Sequence, residues 1–246
     1  MSSLVLTHTR FQLTETFRTP IALIGSTFFP AASMVFFVIP FVGSDPVYAT
    51  FATASMITFS VLTANLFQYG IGVSEDRTQP WDPYTRTLPA GPGPRFAGRI
   101  LAGLAMTAVS LIPVVTIAAL FTAATVTPLA LLAAIGATAV IAVPFTLMGL
   151  AIGYSLPPKA AIVVAQVLFL PLAFGGGLMT APGSAPGFVE TIAPYLPTGG
   201  AARLMWAAVG DFPFDLGSAV ALAGWCAVLA ALAKWAYRRD EGRRFS

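Results

Sequence analysis

The residues whose types and spacing could do chemistry are concentrated in one stretch, SEDRTQPWDPYTRTLPAGPGPR, from Ser74 to Arg95. Glu75, Asp76 and Arg77 set two carboxylates beside a guanidinium, groups that make charge-assisted hydrogen bonds to a partner surface. Trp81 and Tyr84 follow, and the stretch leaves through Leu88 and Pro89 into a Pro- and Gly-rich exit. Two readings of the aromatic pair stand side by side: amphipathic rings at a membrane interface, or part of a docking element, since a loop that only connects would be shorter. Catalysis has little to work with. The single histidine, His8, lies near the start of the chain, and the single cysteine, Cys226, lies inside an apolar block, so neither a zinc site nor a disulfide can be assembled. An enzyme working at a membrane face would depend on Glu75, Asp76 and Asp82. The glycine run Gly175 to Gly177 is followed by Leu178, Met179 and Thr180 with no lysine, so it is not a phosphate-binding loop of the GxxxxGK[ST] kind.

A second group of candidates is uncharged. Ser55, Thr58 and Asn65 share one face of a helix, Gln68 continues that helix, and Gln166 is an isolated amide in a later apolar block. Such groups either line a pathway or bond between helices. No Asp, Glu, Lys or Arg lies deep in an apolar block, so a transporter driven by an intramembrane carboxylate has no residue to run on.

The elements that position these residues follow from composition. Of 246 residues, 57% are hydrophobic and only 9% charged, against about 25% charged in a soluble domain. The apolar residues come in blocks of about 20, the length that crosses ~30 Å of hydrocarbon. Period-two alternation is absent, which excludes a closed barrel. The expectation is an all-α membrane protein, one domain over 1–246, with six spans near 21–43, 47–73, 97–124, 128–154, 160–180 and 215–237. Residues 9–19 mix Phe11, Leu13 and Phe17 with charge, as in a short helix lying in the interface, and Pro20 opens the next helix. No cleavable signal peptide is expected, because residues 1–20 carry His8, Arg10, Glu15 and Arg18 and no hydrophobic region of their own.

Gly43–Pro46 and Thr125–Pro128 read as tight hairpins. With both termini inside, 12 of the 13 basic residues fall on the inner side and only Arg203 outside, the partition expected of cytoplasmic loops. The outer stretch 181–214, broken by Pro182, Pro186, Pro194, Pro197 and Gly199-Gly200, holds apolar pieces too short to span. These are expected as re-entrant or lid helices before the last span.

This order of parts resembles the membrane-spanning permease subunit of type-2 ATP-binding-cassette (ABC) exporters: Arg10, Glu15 and Arg18 leading through Pro20 into the first span, the Glu75-Asp76-Arg77 run closing on Leu88-Pro89, and IAPYLPTGGAARLMWAAV before the last span. Where the family often has Gly-Thr in the loop, this chain has Gln79-Pro80. The resemblance implies a cytoplasmic coupling loop at 74–95. It also implies that Arg10, Glu15, Arg18, Glu75, Asp76, Arg77, Trp81, Tyr84, Leu88 and Pro89 dock a separate ABC ATPase subunit that binds ATP and magnesium, with no cofactor on this chain. It implies a second permease subunit, identical or not, in a bacterial plasma membrane with its lipids, and no nucleic acid. The cargo expected is a hydrophobic or amphipathic compound, a drug or lipid-like molecule. Its pathway would involve Phe28, Phe59, Ser55, Thr58, Asn65 and Gln166, with Phe29, Phe36, Phe37, Phe51 and Phe67 giving further aromatic wall or simple packing. A lipid-modifying enzyme, an ATP-independent secondary transporter and a non-transporting assembly protein are the alternatives.

Overall fold

The computed structural model describes residues 2–18, 20–80 and 93–243, and among these every regular element is helical. In chain order they are α1 (Ser2–Arg18), α2 (Pro20–Ser33), a π-helical turn (Met34–Val38), α3 (Ile39–Val42), α4 (Pro46–Asp76), α5 (Gly93–Phe121), α6 (Pro128–Ser155), α7 (Pro158–Gly175), α8 (Gly187–Ile192), a 3-10 turn (Ala193–Tyr195), α9 (Pro197–Val209) and α10 (Leu216–Arg243). Five of them are long and apolar enough to cross a membrane: Pro46–Asp76, Ala97–Phe121, Pro128–Ser155, Pro158–Gly175 and Leu216–Asp240.

Proline is the first residue of five of the ten α-helices described, because a missing N–H costs nothing in the first turn and the ring presets φ. Side-chain caps sharpen two of the starts. Asp45 accepts from the N–H groups of Val47 and Tyr48, both at 2.9 Å, and Thr127 from Ala130 at 3.2 Å. The two hairpins expected from the sequence are therefore present, and their tips are joined: Ala123 N–H donates to Gly43 C=O at 2.7 Å, and the Thr50 hydroxyl to Thr125 C=O at 3.1 Å. Helix α7 stops five residues before the expected end of its span. Gly177 takes φ 74°, and Leu178 N–H returns to Ala173 C=O at 3.0 Å, a Schellman closure.

The first expected span is built in three pieces of 14, 5 and 4 residues. Its described apolar stretch includes Thr27–Val42. Between Pro30 and Pro40 the ladder changes register, and Ile39 N–H reaches back five residues to Met34 C=O. Proline lacks the N–H that an α-ladder needs at both flanks, and a π turn is one way to absorb the gap.

Helix α4 is the axis of the bundle. Its apolar window is 61% buried, against 22–39% for the other four long helices, as expected of a helix surrounded by helices rather than lipid. It packs most extensively on α6, through Gly149 and Gly153 of the sequence GLAIG. A methyl at Gly149 would lie 2.8 Å from Asn65 O, and one at Gly153 2.5 Å from Tyr69 O and 2.7 Å from Val73 Cβ. This is backbone-to-backbone packing of the small-xxx-small kind, which strengthens dispersion where lipid leaves no hydrophobic drive for helices to associate.

We therefore expect Gly153→Leu to lower the unfolding free energy by about 1–3 kcal/mol, the usual cost of overpacking. Gly136→Leu, where nothing lies within 4 Å, is expected to leave it unchanged; thermal melts of the purified proteins in one detergent make the comparison.

Candidate functional site

Charged groups gather at the end of the bundle where α4 stops. Asp76 accepts a very close contact from the Arg99 guanidinium near the start of α5. One residue on, Arg77 donates from Nε and Nη2 to Asp240 Oδ1 of α10, at 3.0 and 2.5 Å. Its Nη1 donates to the carbonyls of Gly153 and Leu156, at 2.7 and 3.2 Å. These carbonyls belong to the C-terminus of α6, where a cation complements both the unpaired C=O groups and the helix dipole. Arg77 thus ties the ends of α4, α6 and α10 together, while Asp76 adds α5. Asp240 is 4% exposed and Arg99 9%, so each pair has one buried partner, while the Arg77 and Asp76 side chains stay 19% and 33% exposed; they lie between buried and ordinary surface pairs. Glu75, between Ser74 and Asp76, is exposed and outside this network.

The expected docking residues therefore separate. Asp76 and Arg77 are engaged within the subunit, and Glu75 is presented outward. Arg10, Glu15 and Arg18 lie on α1, which packs along the start of α5. There the Thr9 hydroxyl donates to Gly98 C=O at 3.3 Å, and Gly98 admits the α1 backbone. Arg10 is exposed, on a stripe with Leu6, Leu13 and Phe17 beside a surface hollow of about 510 Å³. Trp81, Tyr84, Leu88 and Pro89 lie outside the described residues.

The expected pathway residues separate too. Ser55, Thr58 and Asn65 are buried with their polar atoms satisfied inside the subunit. Ser55 Oγ accepts from Trp206 Nε1 at 2.9 Å, and the Thr58 hydroxyl donates to Ala54 C=O at 3.0 Å. Asn65 bridges three helices, donating to Thr107 of α5 at 3.1 Å and accepting from Thr146 of α6 at 2.9 Å. Ser60 with Ser110 and Tyr69 with the Arg99 carbonyl extend the same antiparallel seam between α4 and α5. Phe59 is buried at 1% exposure and Phe28 is 58% exposed, yet a chain of rings joins them. Phe169 of α7 lies 6.2 Å from Phe59, 5.6 Å from Phe67 and 5.2 Å from Phe29, whose own neighbour is Phe28 at 5.7 Å. Gln166, one turn before Phe169, is exposed on α7 among Val163, Val167 and Leu170.

At the opposite, hairpin end, the stretch before the last span is folded into the bundle. Helix α9 packs against α4, α6, α7 and α10, and Pro197 to Ala202 are buried without a break. The Thr198 hydroxyl donates to Leu172 C=O at 2.6 Å, Trp225 Nε1 to Tyr195 C=O at 2.7 Å, and Arg203 to Asp215 at 2.8 Å. The Ser218 hydroxyl is the main influence holding the Asp215 carboxyl below the usual carboxylate range, with further backbone hydrogen bonds and Arg203 acting the same way.

No protein-family model and no curated protein sequence matches this chain.

Sequence reasoning did not find the partners that complete these sites: Arg99 for Asp76, Asp240 for Arg77, Trp206 for Ser55. One signal was available, an acid embedded in the basic run KWAYRRDEGRR, since a carboxylate there is best stabilised by an inward cation. The Gly149 and Gly153 spacing was equally readable as a packing face.

Arg77→Ala leaves Asp240 buried without its partner and is expected to lower the unfolding free energy by about 3–5 kcal/mol. The Arg77→Ala/Asp240→Ala pair is expected to lose less than the sum of the single variants, read from denaturant melts. At the other end, a carboxyl more acidic folded than unfolded stabilises above its unfolded pKa of about 3.9, and that contribution disappears as pH falls through the lower folded value. Wild type is therefore expected to exceed Asp215→Asn in melting temperature at pH 7, with the gap beginning to narrow near pH 4 and closing only as pH falls through the lower folded value.

Proposed function

We propose that this chain is the membrane-spanning subunit of an ATP-driven exporter of the type-2 ABC class. In this reading it crosses the membrane six times with both termini in the cytoplasm. It moves a hydrophobic or amphipathic compound outward, together with a second such subunit and a separate pair of ATPase subunits that hold ATP and magnesium. The sixth crossing is α2 to α3, which begins beside α1 and ends at Gly43 against the other hairpin tip. Basic residues at the opposite end then face the cytoplasm.

The observation that carries the reading is the root of the 74–95 loop. A loop serving only as a connection has no reason to be anchored to α5, α6 and α10 through two ion pairs, each with one buried partner. An anchored root makes the loop a handle: a force applied to it moves the ends of four helices together rather than bending a flexible tether. Exposed Glu75 is the charge at that handle left for a partner. ATP-driven closure of the ATPase pair would act there, and the rocking of two such subunits would alternate access between the two sides. Exposed Phe28 and Phe29, backed by the buried rings of Phe169 and Phe59, and exposed Gln166 offer a mainly apolar surface with one amide, suited to an amphipathic cargo rather than a hydrated one.

Tagged chain purified from native membranes is expected to bring down a soluble ATPase with a phosphate-binding loop. Recovery with no ATPase, or cargo flux in proteoliposomes that persists without one, would overturn the proposal. Glu75→Lys is expected to cut ATPase co-purification and transport by more than about tenfold while the protein still inserts. Asp76→Lys, which sets two cations together at Arg99, is expected to reduce the folded yield itself.

A further inference from the structure

The outward face of α10 changes character in a graded way as it nears the chain end. Val228, Leu232, Trp235 and Arg239 are spaced i, i+4, i+7 and i+11, so they form one stripe running aliphatic, aromatic, cationic. All four are exposed, the first three by 52%, 47% and 54%. The Arg239 guanidinium lies over the Trp235 ring, 5.1 Å from its centroid, a cation–π contact that holds both groups in place. Lys234 and Arg238, one turn apart, are exposed alongside. Among the described residues no carboxylate pairs with Lys234, Arg238 or Arg239, and Asp240 is turned inward to Arg77. At about 1.5 Å per residue the stripe is about 16 Å long, the depth of one leaflet of a ~30 Å hydrocarbon core.

We propose that this stripe seats one anionic phospholipid. The phosphate is held by Arg238 and Arg239, Lys234 reaches up toward it from the flank of the stripe one turn before Arg238, the glycerol region lies against Trp235, and an acyl chain runs along Leu232 and Val228. In the orientation proposed above, on which this assignment to a leaflet rests, the lipid belongs to the cytoplasmic side. Charge complementarity selects a headgroup with net negative charge over a zwitterionic one. The apolar and aromatic residues directly below the cations favour a lipid over a protein partner, which would need those cations clear of the bilayer. The bound lipid would brace α10 beside the Arg77–Asp240 tie.

Native mass spectrometry of the purified full-length protein, mixed with phosphatidylglycerol or phosphatidylcholine, tests this without reference to orientation. Wild type is expected to retain phosphatidylglycerol selectively, and to lose it in 0.5 M salt. K234Q/R238Q/R239Q is expected to bind it about a hundredfold more weakly, since each basic residue near an anionic surface contributes roughly fivefold. R10Q/R95Q/K159Q, which removes as many basic residues elsewhere, is expected to retain it as wild type does. Equal retention of the two lipids by wild type, or equal loss in both variants, would overturn the proposal. So would unchanged lipid retention in K234Q/R238Q/R239Q combined with loss of a co-purifying ATPase, which would assign the patch to a protein.

Discussion

The close approach of α4 and α6 at Gly149 and Gly153 is the contact on which the rest of the bundle depends. Without side chains at those two positions, the backbones meet at Asn65, Tyr69 and Val73. That contact fixes the height of α4 relative to α6, and the height decides which polar groups can pair. Asn65 falls level with Thr146, and Arg77, two turns beyond Gly70, falls level with the free carbonyls at the end of α6. Polar bonds in a bilayer interior are individually modest; here they select the register that close packing stabilises.

This arrangement separates two duties that the sequence had merged. Glu75, Asp76 and Arg77 look like one charged motif, but successive helical residues point about 100° apart, so three neighbours cannot serve one surface. Asp76 faces α5, Arg77 faces α6 and α10, and Glu75 faces outward. The polar residues of α4 show the same logic. They share a face, as their spacing implied, but that face is occupied by Trp206, Thr107 and Thr146 rather than by open space.

What was legible in the sequence was whatever depends on local chemistry. Asp45-Pro46 and Thr127-Pro128 announce helix starts, and the uncharged blocks announce their lengths. The prolines and glycines of 181–214 announce broken helices, and these are present as α8, the 3-10 turn and α9. What was not legible depends on rotation about a helix axis and on partners far along the chain. Arg77 and Asp240 are separated by 163 positions, and no pattern within either segment names the other. The first expected span marks the boundary between the two cases: its apolar content was readable, but the register change at Met34–Val38 depends on how Pro30 and Pro40 are accommodated together.

Helix α9 has an implication for the order in which the protein is made. It has 13 residues, too few to be held in a bilayer by its own length, and its backbone needs walls from α4, α6, α7 and α10. The last of these walls lies after it in the chain. Gly200 rests against Ser218 and Leu222, and Arg203 against Asp215, all of which follow α9 in the chain. With synthesis proceeding at about 5–20 residues per second, α9 waits for seconds beside an unfinished bundle. The walls around α9 are complete only once α10 has joined the bundle, so this interior contact forms later than the surfaces of the helices that precede it.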